Sequence, residues 1–274
     1  GTEKVGETDG FAVLSEAIRA GDRHIDTASA YHTEEAVGRA VAASGVDRSE
    51  FFITTKAWKD QLGYDRTLAA FDASCQALGM DYLDLYLIHW PRPDAACEEW
   101  KELDRGSWRA MEELYKAGKL RAIGVSNFGP DRYLDIQHFA EIKPAVNQVE
   151  THVFQQQKTA KEYRKKYGCQ IESWGSFAEG RKDMFTNPVL TEIGKKYGKT
   201  AAQTALRFLL QSDVVIIPKS THKERMEENF NIWDFALSDE DMAAIAKLDL
   251  CRSEIIDHSA AEPAQFLNSW KIHD

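Results

Sequence analysis

Cysteine is scarce, with four in 274 residues: Cys75, Cys97, Cys169 and Cys251. None falls in a C-x-x-C pair, and no histidine stands at ligand spacing from them. A disulfide framework and a zinc site are therefore not expected, and a reducing compartment is the natural setting. Positive charge is also short. The formal net charge is −10 at pH 7, which argues against a general binder of nucleic acid or of anionic membranes. An anionic ligand would need a local basic cluster to offset that field. No apolar run approaches the roughly 18 residues of a membrane-spanning helix, and no secretory signal is visible. Missing too are a Pro/Gly/Ser linker, a low-complexity tract and a G-x-G-x-x-G turn. The expected location is cytoplasmic. The chain opens at Gly1-Thr2 without a methionine, so an upstream segment is expected.

What is present alternates. Short apolar runs occur at His24–Asp26, Phe51–Thr55, Leu83–Ile88, Ala122–Val125, Ala145–Val149, Cys169–Ser173 and Val214–Ile217. Most lack polar alternation, as parallel strands covered on both faces do. Between them lie stretches of helical period. Val13, Leu14, Ala17 and Ile18 share one face, and Val37, Ala40 and Val41 another. Leu68, Phe71, Cys75 and Leu78 form a third, and Trp108, Met111, Leu114 and Tyr115 a fourth. Asn187-Pro188 reads as an N-cap with proline at the first helical position. Thr200-x-x-Gln203 reads as a capping box, and Ser238-x-x-Asp241 as a weaker one. The pattern predicts one α/β domain over 1–274 with a parallel sheet. A doubly wound sheet would usually carry a glycine-rich turn after its first strand. A (β/α)8 barrel, about 250 residues long in typical cases, is the better fit. Seven strands are visible, and the eighth would be the first, mostly ahead of Gly1.

In such a barrel, chemistry sits at the carboxyl ends of the strands. Those ends carry Asp26, Lys56, His89, Ser126-Asn127, Gln148 with Glu150, Trp174, and Lys219-Ser220. Each has a plainer reading: a helix cap, a solvated lysine, a packed histidine, a turn. Their recurrence at the same end of successive strands is what carries weight. Tyr31 follows Asp26 by five residues, and a phenol has a reference pKa near 10. A nearby cation such as Lys56 makes it a proton donor near neutrality, with Asp26 holding the lysine and His89 bonding a substrate oxygen. Such a group protonates an oxygen as negative charge develops on it. No metal site and no base-paired serine or cysteine nucleophile is apparent, so a carbonyl reduced by an external hydride fits.

Asp26, Tyr31, Lys56 and His89 resemble the Asp-Tyr-Lys-His tetrad of the aldo-keto reductases. The contexts agree: H-I-D-T-A-x-x-Y at 24–31, T-K-A-W at 55–58, D-L-Y-L-I-H-W-P at 84–91, G-V-S-N-F at 124–128 and I-P-K-S-T-H-K-E-R-M-E-E-N at 217–229. I-E-S-W-G at 171–175 is most similar to the bacterial 2,5-diketo-D-gluconate reductase branch. The resemblance implies a (β/α)8 barrel that binds NADPH/NADP+ at its carboxyl face. It also implies reduction of an aldehyde, ketone or keto-sugar carbonyl, with the proton from Tyr31. Ser126, Asn127 and Gln148 would bond the nicotinamide carboxamide, and Trp174 would stack on its ring. Lys219, Ser220, Thr221 and Arg225 would hold the 2′-phosphate, with Glu228 and Asn229 at the adenine. A planar guanidinium suits a phosphate bidentately, which supports Arg225 in that role. Trp58 and Trp90 would wall the substrate pocket, or else pack in the core.

The resemblance has gaps. The N-terminal hairpin and most of strand one, usual in the family, are not in this sequence. Arg181 or Lys182, after Trp174, can meet an acidic substrate or merely be solvated. Phe266 and Trp270 in the tail can pack on the barrel. The expected partner is a small-molecule carbonyl compound, with no nucleic acid or membrane, and the chain is read as a monomer. Two other readings stay open. One is an NADPH-binding redox-sensing or regulatory subunit of weak activity. The other is a Schiff-base aldolase using Lys56 as nucleophile.

Overall fold

The computed structural model describes residues 1–91, 97–257 and 263. The described residues fall into two compact units, Gly1–Asn147 and Gln148–Pro263.

The first unit alternates helix and strand: α1 (Glu7–Ala20), β1 (His24–Asp26), α2 (Glu34–Ala43), β2 (Phe52–Ala57), α3 (Tyr64–Leu78), β3 (Leu83–Ile88), α4 (Trp100–Lys116), β4 (Leu120–Ser126), α5 (Pro130–Phe139) and the start of β5 (Val146–Glu150). Strands β1 to β4 are neighbours in sequence order and parallel, with Asp26 opposite Thr54, Lys56 opposite Leu87 and Ile88 opposite Val125. Apolar runs without alternation become strands buried on both faces, and every residue of β3 is buried. Ahead of β1, the Thr2 N–H donates to the Asp26 carbonyl at 2.9 Å, so Gly1-Thr2 runs beside the end of β1.

Helix faces follow the period read from the sequence. Leu14, Ile18, Val37, Ala40, Val41, Phe71 and Leu78 are buried, as are Trp108, Met111 and Leu114. Tyr115 is exposed, because one further residue on a helix turns about 100° away from the stripe. At Gly38 a Cβ would stand 2.1 Å from the Leu78 carbonyl oxygen, so only glycine lets α2 lie this close to the end of α3. At the amino end of β3, Asp84 is fully buried. It accepts from Arg48 Nη2 at 2.8 Å, Arg121 Nη1 at 2.9 Å and the Ile53 N–H at 2.9 Å. That clamp ties β2, β3 and β4 together at the end opposite the reactive residues.

The second unit continues with the rest of β5, then α6 (Lys158–Tyr167), β6 (Gln170–Trp174), α7 (Pro188–Tyr197), α8 (Ala201–Gln211), β7 (Val215–Ile216), α9 (Lys223–Phe230) and α10 (Asp239–Ala246). Strands β6 and β7 pair in parallel, Glu172 opposite Val215. Strand β7 is two residues long, shorter than the Val214–Ile217 run expected from the sequence. The helix starts come where the capping residues predict. Asn187 Oδ1 accepts from the Val189 and Leu190 N–H groups. Thr200 and Gln203 cap each other reciprocally, and Ser238 Oγ accepts from the Asp241 N–H. The core here is built of Val149, Ile171, Leu190, Ile193, Leu209 and Ile245 with their neighbours. Among the described residues no helix is long and apolar enough to cross a membrane. Phe266 and Trp270 lie outside the described residues.

Candidate active site

The chain turns sharply on both sides of β1. Gly21, at φ 114°, closes α1, and a short helical turn at Ser29–Tyr31 follows the strand. Asp26, the last residue of β1, therefore points to the same edge of the sheet as Lys56, near the end of β2. Lys56 Nζ donates to Asp26 Oδ1 at 2.8 Å and to the Thr27 carbonyl at 2.9 Å. The lysine side chain is fully buried and the aspartate nearly so, 0 % and 3 % exposed. A buried ion pair persists only with good geometry and further hydrogen bonds, and here the Thr27 carbonyl supplies one. Ser29 Oγ donates to the Lys56 carbonyl at 3.1 Å and to Gln61 Oε1 at 2.9 Å, which fixes the turn that carries Tyr31.

Tyr31 Oη stands 3.3 Å from His89 Nε2, and Lys56 Nζ lies 5.0 Å from the centre of the Tyr31 ring. Trp58 stacks edge-on against His89, ring centres 5.0 Å apart. His89 follows β3, and its N–H donates to the Ala57 carbonyl at 3.0 Å. Asn127, just past β4, adopts a left-handed φ of 60°, a conformation asparagine tolerates better than most residues. Its Nδ2 donates to the His89 carbonyl at 3.0 Å and to Ser126 Oγ at 3.2 Å. Asp26, Tyr31, Lys56, His89, Trp58, Ser126 and Asn127 thus gather within the first unit.

Burial sets the protonation states. It pushes the Tyr31 phenol well above its usual range, and the Asp26 and Glu3 carboxylates add to this. Tyr31 stays protonated, and burial outweighs the lowering expected from Lys56. Burial holds His89 well below the ordinary histidine range, and the positive Lys56 reinforces it. The imidazole is neutral, with one N–H and one lone pair. Among the described residues, His89 Nδ1 has no hydrogen-bond partner. This is a protonated phenol beside a neutral imidazole, backed by a buried ammonium–carboxylate pair. It can give a proton to an oxygen that gains negative charge, and it holds no nucleophile activated by a base.

Trp90, just past β3, is half-buried in the first unit. The predicted residues from Gln148 to Asn229 belong to the second unit. Gln148, on β5, donates from Nε2 to Glu172 Oε1 on β6 at 2.6 Å. Trp174 ends β6 and is half-buried. Lys219, Thr221 and Arg225 are exposed around the start of α9, with Ser220 half-buried. Glu228 Oε1 accepts from Thr200 Oγ1 at 2.5 Å, which ties α9 to α8, and Asn229 follows it on α9. Arg181 and Lys182 do not stand free for an acidic substrate. Arg181 Nη1 donates to the Glu254 carbonyl at 2.5 Å, and Lys182 Nζ is 3.5 Å from Glu254 Oε2. Two participants escaped the sequence reading. The Thr27 carbonyl is a backbone atom with no side-chain signature. Glu172 had a faint one, since it shares a strand face with Trp174 at a spacing of two.

A parallel α/β chain with this acid–base group at its strand ends fits an enzyme acting on a carbonyl or alcohol oxygen. Comparison with known proteins is specific. The model of the Aldo/keto reductase family matches residues 1–250. Glyoxal reductase from Bacillus subtilis is 49 % identical over 233 residues, covering 85 % of this chain and 81 % of that protein. A Bombyx mori aldo-keto reductase solved in complex with NADP superposes with a TM-score of 0.83 at 32 % identity, covering 94 % of this chain and 88 % of that one. A putative 2,5-diketo-D-gluconic acid reductase B gives a TM-score of 0.85 at 36 % identity, covering 92 % of this chain and 87 % of that one. The chain belongs to the aldo/keto reductase family. It is an oxidoreductase of the (β/α)8 class.

Proposed function

We propose that this protein reduces the carbonyl of a small aldehyde, ketone or keto-sugar to an alcohol with NADPH, working as one catalytic domain. The observation that carries the reading is the Asp26–Lys56–Tyr31–His89 group. Its phenol is protonated and its imidazole neutral, as a proton donor and an oxygen-binding partner must be. The glyoxal reductase among its relatives makes small aldehydes the first substrates to try.

Bound NADPH supplies the hydride. The chain's donor set fits such a cofactor. Lys219 and Arg225 are exposed, and neither forms an ion pair among the described residues, which suits them to a 2′-phosphate together with Ser220 and Thr221. Glu228 and Asn229 would meet the adenine. Ser126, Asn127 and Gln148 offer amide and hydroxyl groups to the carboxamide, and Trp174 a ring face. Tyr31 Oη would give its proton to the carbonyl oxygen as negative charge develops there. Lys56, held by Asp26, stabilises the phenolate left behind, and His89 orients the substrate oxygen. Trp58 and Trp90 would bound the substrate. The site works without water as a reactant, and its burial keeps the ion pair strong.

The test is Tyr31→Phe, read by loss of NADPH absorbance with glyoxal-type aldehydes and by cofactor titration. Turnover should fall by about a hundredfold or more while NADPH affinity stays nearly constant. Retained turnover removes Tyr31 as donor. Tight NADPH binding by the unmodified chain without turnover of any carbonyl would favour a regulatory subunit.

A further inference from the structure

Gln61 lies outside the proton-transfer group, yet its side-chain oxygen meets both loops that frame it. Ser29 Oγ donates to Gln61 Oε1 at 2.9 Å, and the Trp58 N–H donates to the same oxygen at 2.9 Å. An amide oxygen has two lone pairs, so it accepts both bonds at once. Ser29 opens the helical turn that ends at Tyr31, and Trp58 is the residue just past β2. Each loop brings a ring to His89, with centres 5.4 Å away for Tyr31 and 5.0 Å away for Trp58.

Gln61 is held in turn by the scaffold. Its N–H donates to the Trp58 carbonyl at 2.9 Å, and its carbonyl accepts from Thr67 Oγ1 at 2.9 Å. Thr67 is fully buried on α3, and its Oγ1 lies 2.9 Å from Ser107 Oγ on α4. A residue tied to two helices has little freedom, and the loops that meet on it share that order. The plain reading of Gln61 is a cap for the short helical turn at Lys59–Gln61. A cap needs only the Trp58 N–H. The bond from Ser29 spans 32 positions, comes from the end of another strand and serves no cap.

We propose that Gln61 is a positioning residue for carbonyl reduction: its Oε1 joins the Tyr31 turn to the backbone of Trp58 and so sets the phenol against His89. This rests on the reductase reading. In this role Gln61 touches neither substrate nor cofactor. It acts through Tyr31, whose Oη stands 3.3 Å from His89 Nε2. Proton delivery depends on that placement, so its loss slows the chemical step and leaves cofactor binding nearly unchanged.

The experiment uses the full chain with Gln61→Leu, Gln61→Glu and Ser29→Ala. Leucine is of similar size and has no acceptor, whereas glutamate keeps an oxygen at the same reach. Single-turnover NADPH oxidation is followed at saturating aldehyde in ordinary and deuterated water, and NADPH affinity is read by fluorescence titration. In Gln61→Leu the rate should fall about tenfold, the worth of one or two neutral hydrogen bonds. The solvent isotope effect should grow, because a misplaced phenol delays the proton, and NADPH affinity should stay within about twofold. Gln61→Glu should recover most of the rate. Ser29→Ala should lose rate in the same direction, and it carries the same test should Gln61→Leu fail to fold. A fall under about threefold in Gln61→Leu overturns the proposal. So does equal loss in Gln61→Leu and Gln61→Glu, an unchanged isotope effect, or full rate in Ser29→Ala. No NADPH-dependent turnover in the unmodified chain refutes the reductase reading itself. Normal turnover there with Gln61→Leu at full rate refutes the positioning role alone.

Discussion

Replacing Asp26 with asparagine tests the central claim about the Lys56 pair. The change is nearly isosteric and keeps an acceptor oxygen, so packing is preserved and only the charge is lost. Two unit charges 2.8 Å apart attract by about 6 kcal/mol at an effective dielectric of about 20. Not all of that is lost, since Lys56 keeps the Thr27 carbonyl at 2.9 Å and gains an amide oxygen in place of the carboxylate. Stripping one partner from a buried pair costs about 3 kcal/mol. For a chain of 274 residues that corresponds to a fall in melting temperature of about 5 °C. Differential scanning calorimetry measures it. The double variant Asp26→Asn with Lys56→Met discriminates the cause, because it removes the stranded charge and keeps a similar volume. It should regain most of the loss. A fall under about 2 °C in the single variant, well below the cost of an unpaired buried charge, refutes the reasoning. So does a double variant less stable than the single.

Arg225→Ala should weaken NADPH about tenfold while leaving NADH nearly unaffected, the loss expected of one charge-assisted phosphate bond. Fluorescence titration with both cofactors checks it, and equal weakening removes the 2′-phosphate assignment. A second expectation concerns acid. Burial pushes the His24 imidazole down to about 4. The unfolded chain then takes up a proton near pH 6.5 that the folded chain refuses until about pH 4. Stability contributed by neutral His24 is full above pH 6.5 and is lost between pH 6.5 and 4, at up to about 1.4 kcal/mol per pH unit. Urea midpoints from pH 7 to 4.5 should fall less steeply in His24→Gln than in the unmodified chain, and parallel curves would refute this.

The basic loop after β6 has partners of its own. From sequence, Arg181 and Lys182 are either substrate contacts or solvated charges. In the structure Lys182 pairs with the Glu254 carboxylate, while Arg181 pairs with Glu179 and donates to the Glu254 carbonyl, so an acidic substrate would have to displace these contacts. Of the basic residues assigned to a ligand from sequence, Lys219 and Arg225, near the start of α9, form no ion pair among the described residues.

Much of the site was legible in the sequence, because its members lie at strand ends and strands show as apolar runs. Asp26, Lys56 and His89 could be placed at one edge of the sheet by counting alone, and the caps at Asn187, Thr200 and Ser238 are local chemistry read from a few residues. Parallel α/β class, helix faces and the residue types at the strand ends were determined at that level, since backbone periodicity and capping are properties of neighbouring residues. Tertiary structure decided what neighbours in sequence cannot. It set the register that brings Asp26 within 2.8 Å of Lys56, and the burial that keeps Tyr31 protonated and His89 neutral. It also turned Glu150 toward Ser253, 103 positions away. Desolvation and long-range hydrogen bonds depend on which distant segments share a volume, and no local pattern encodes that.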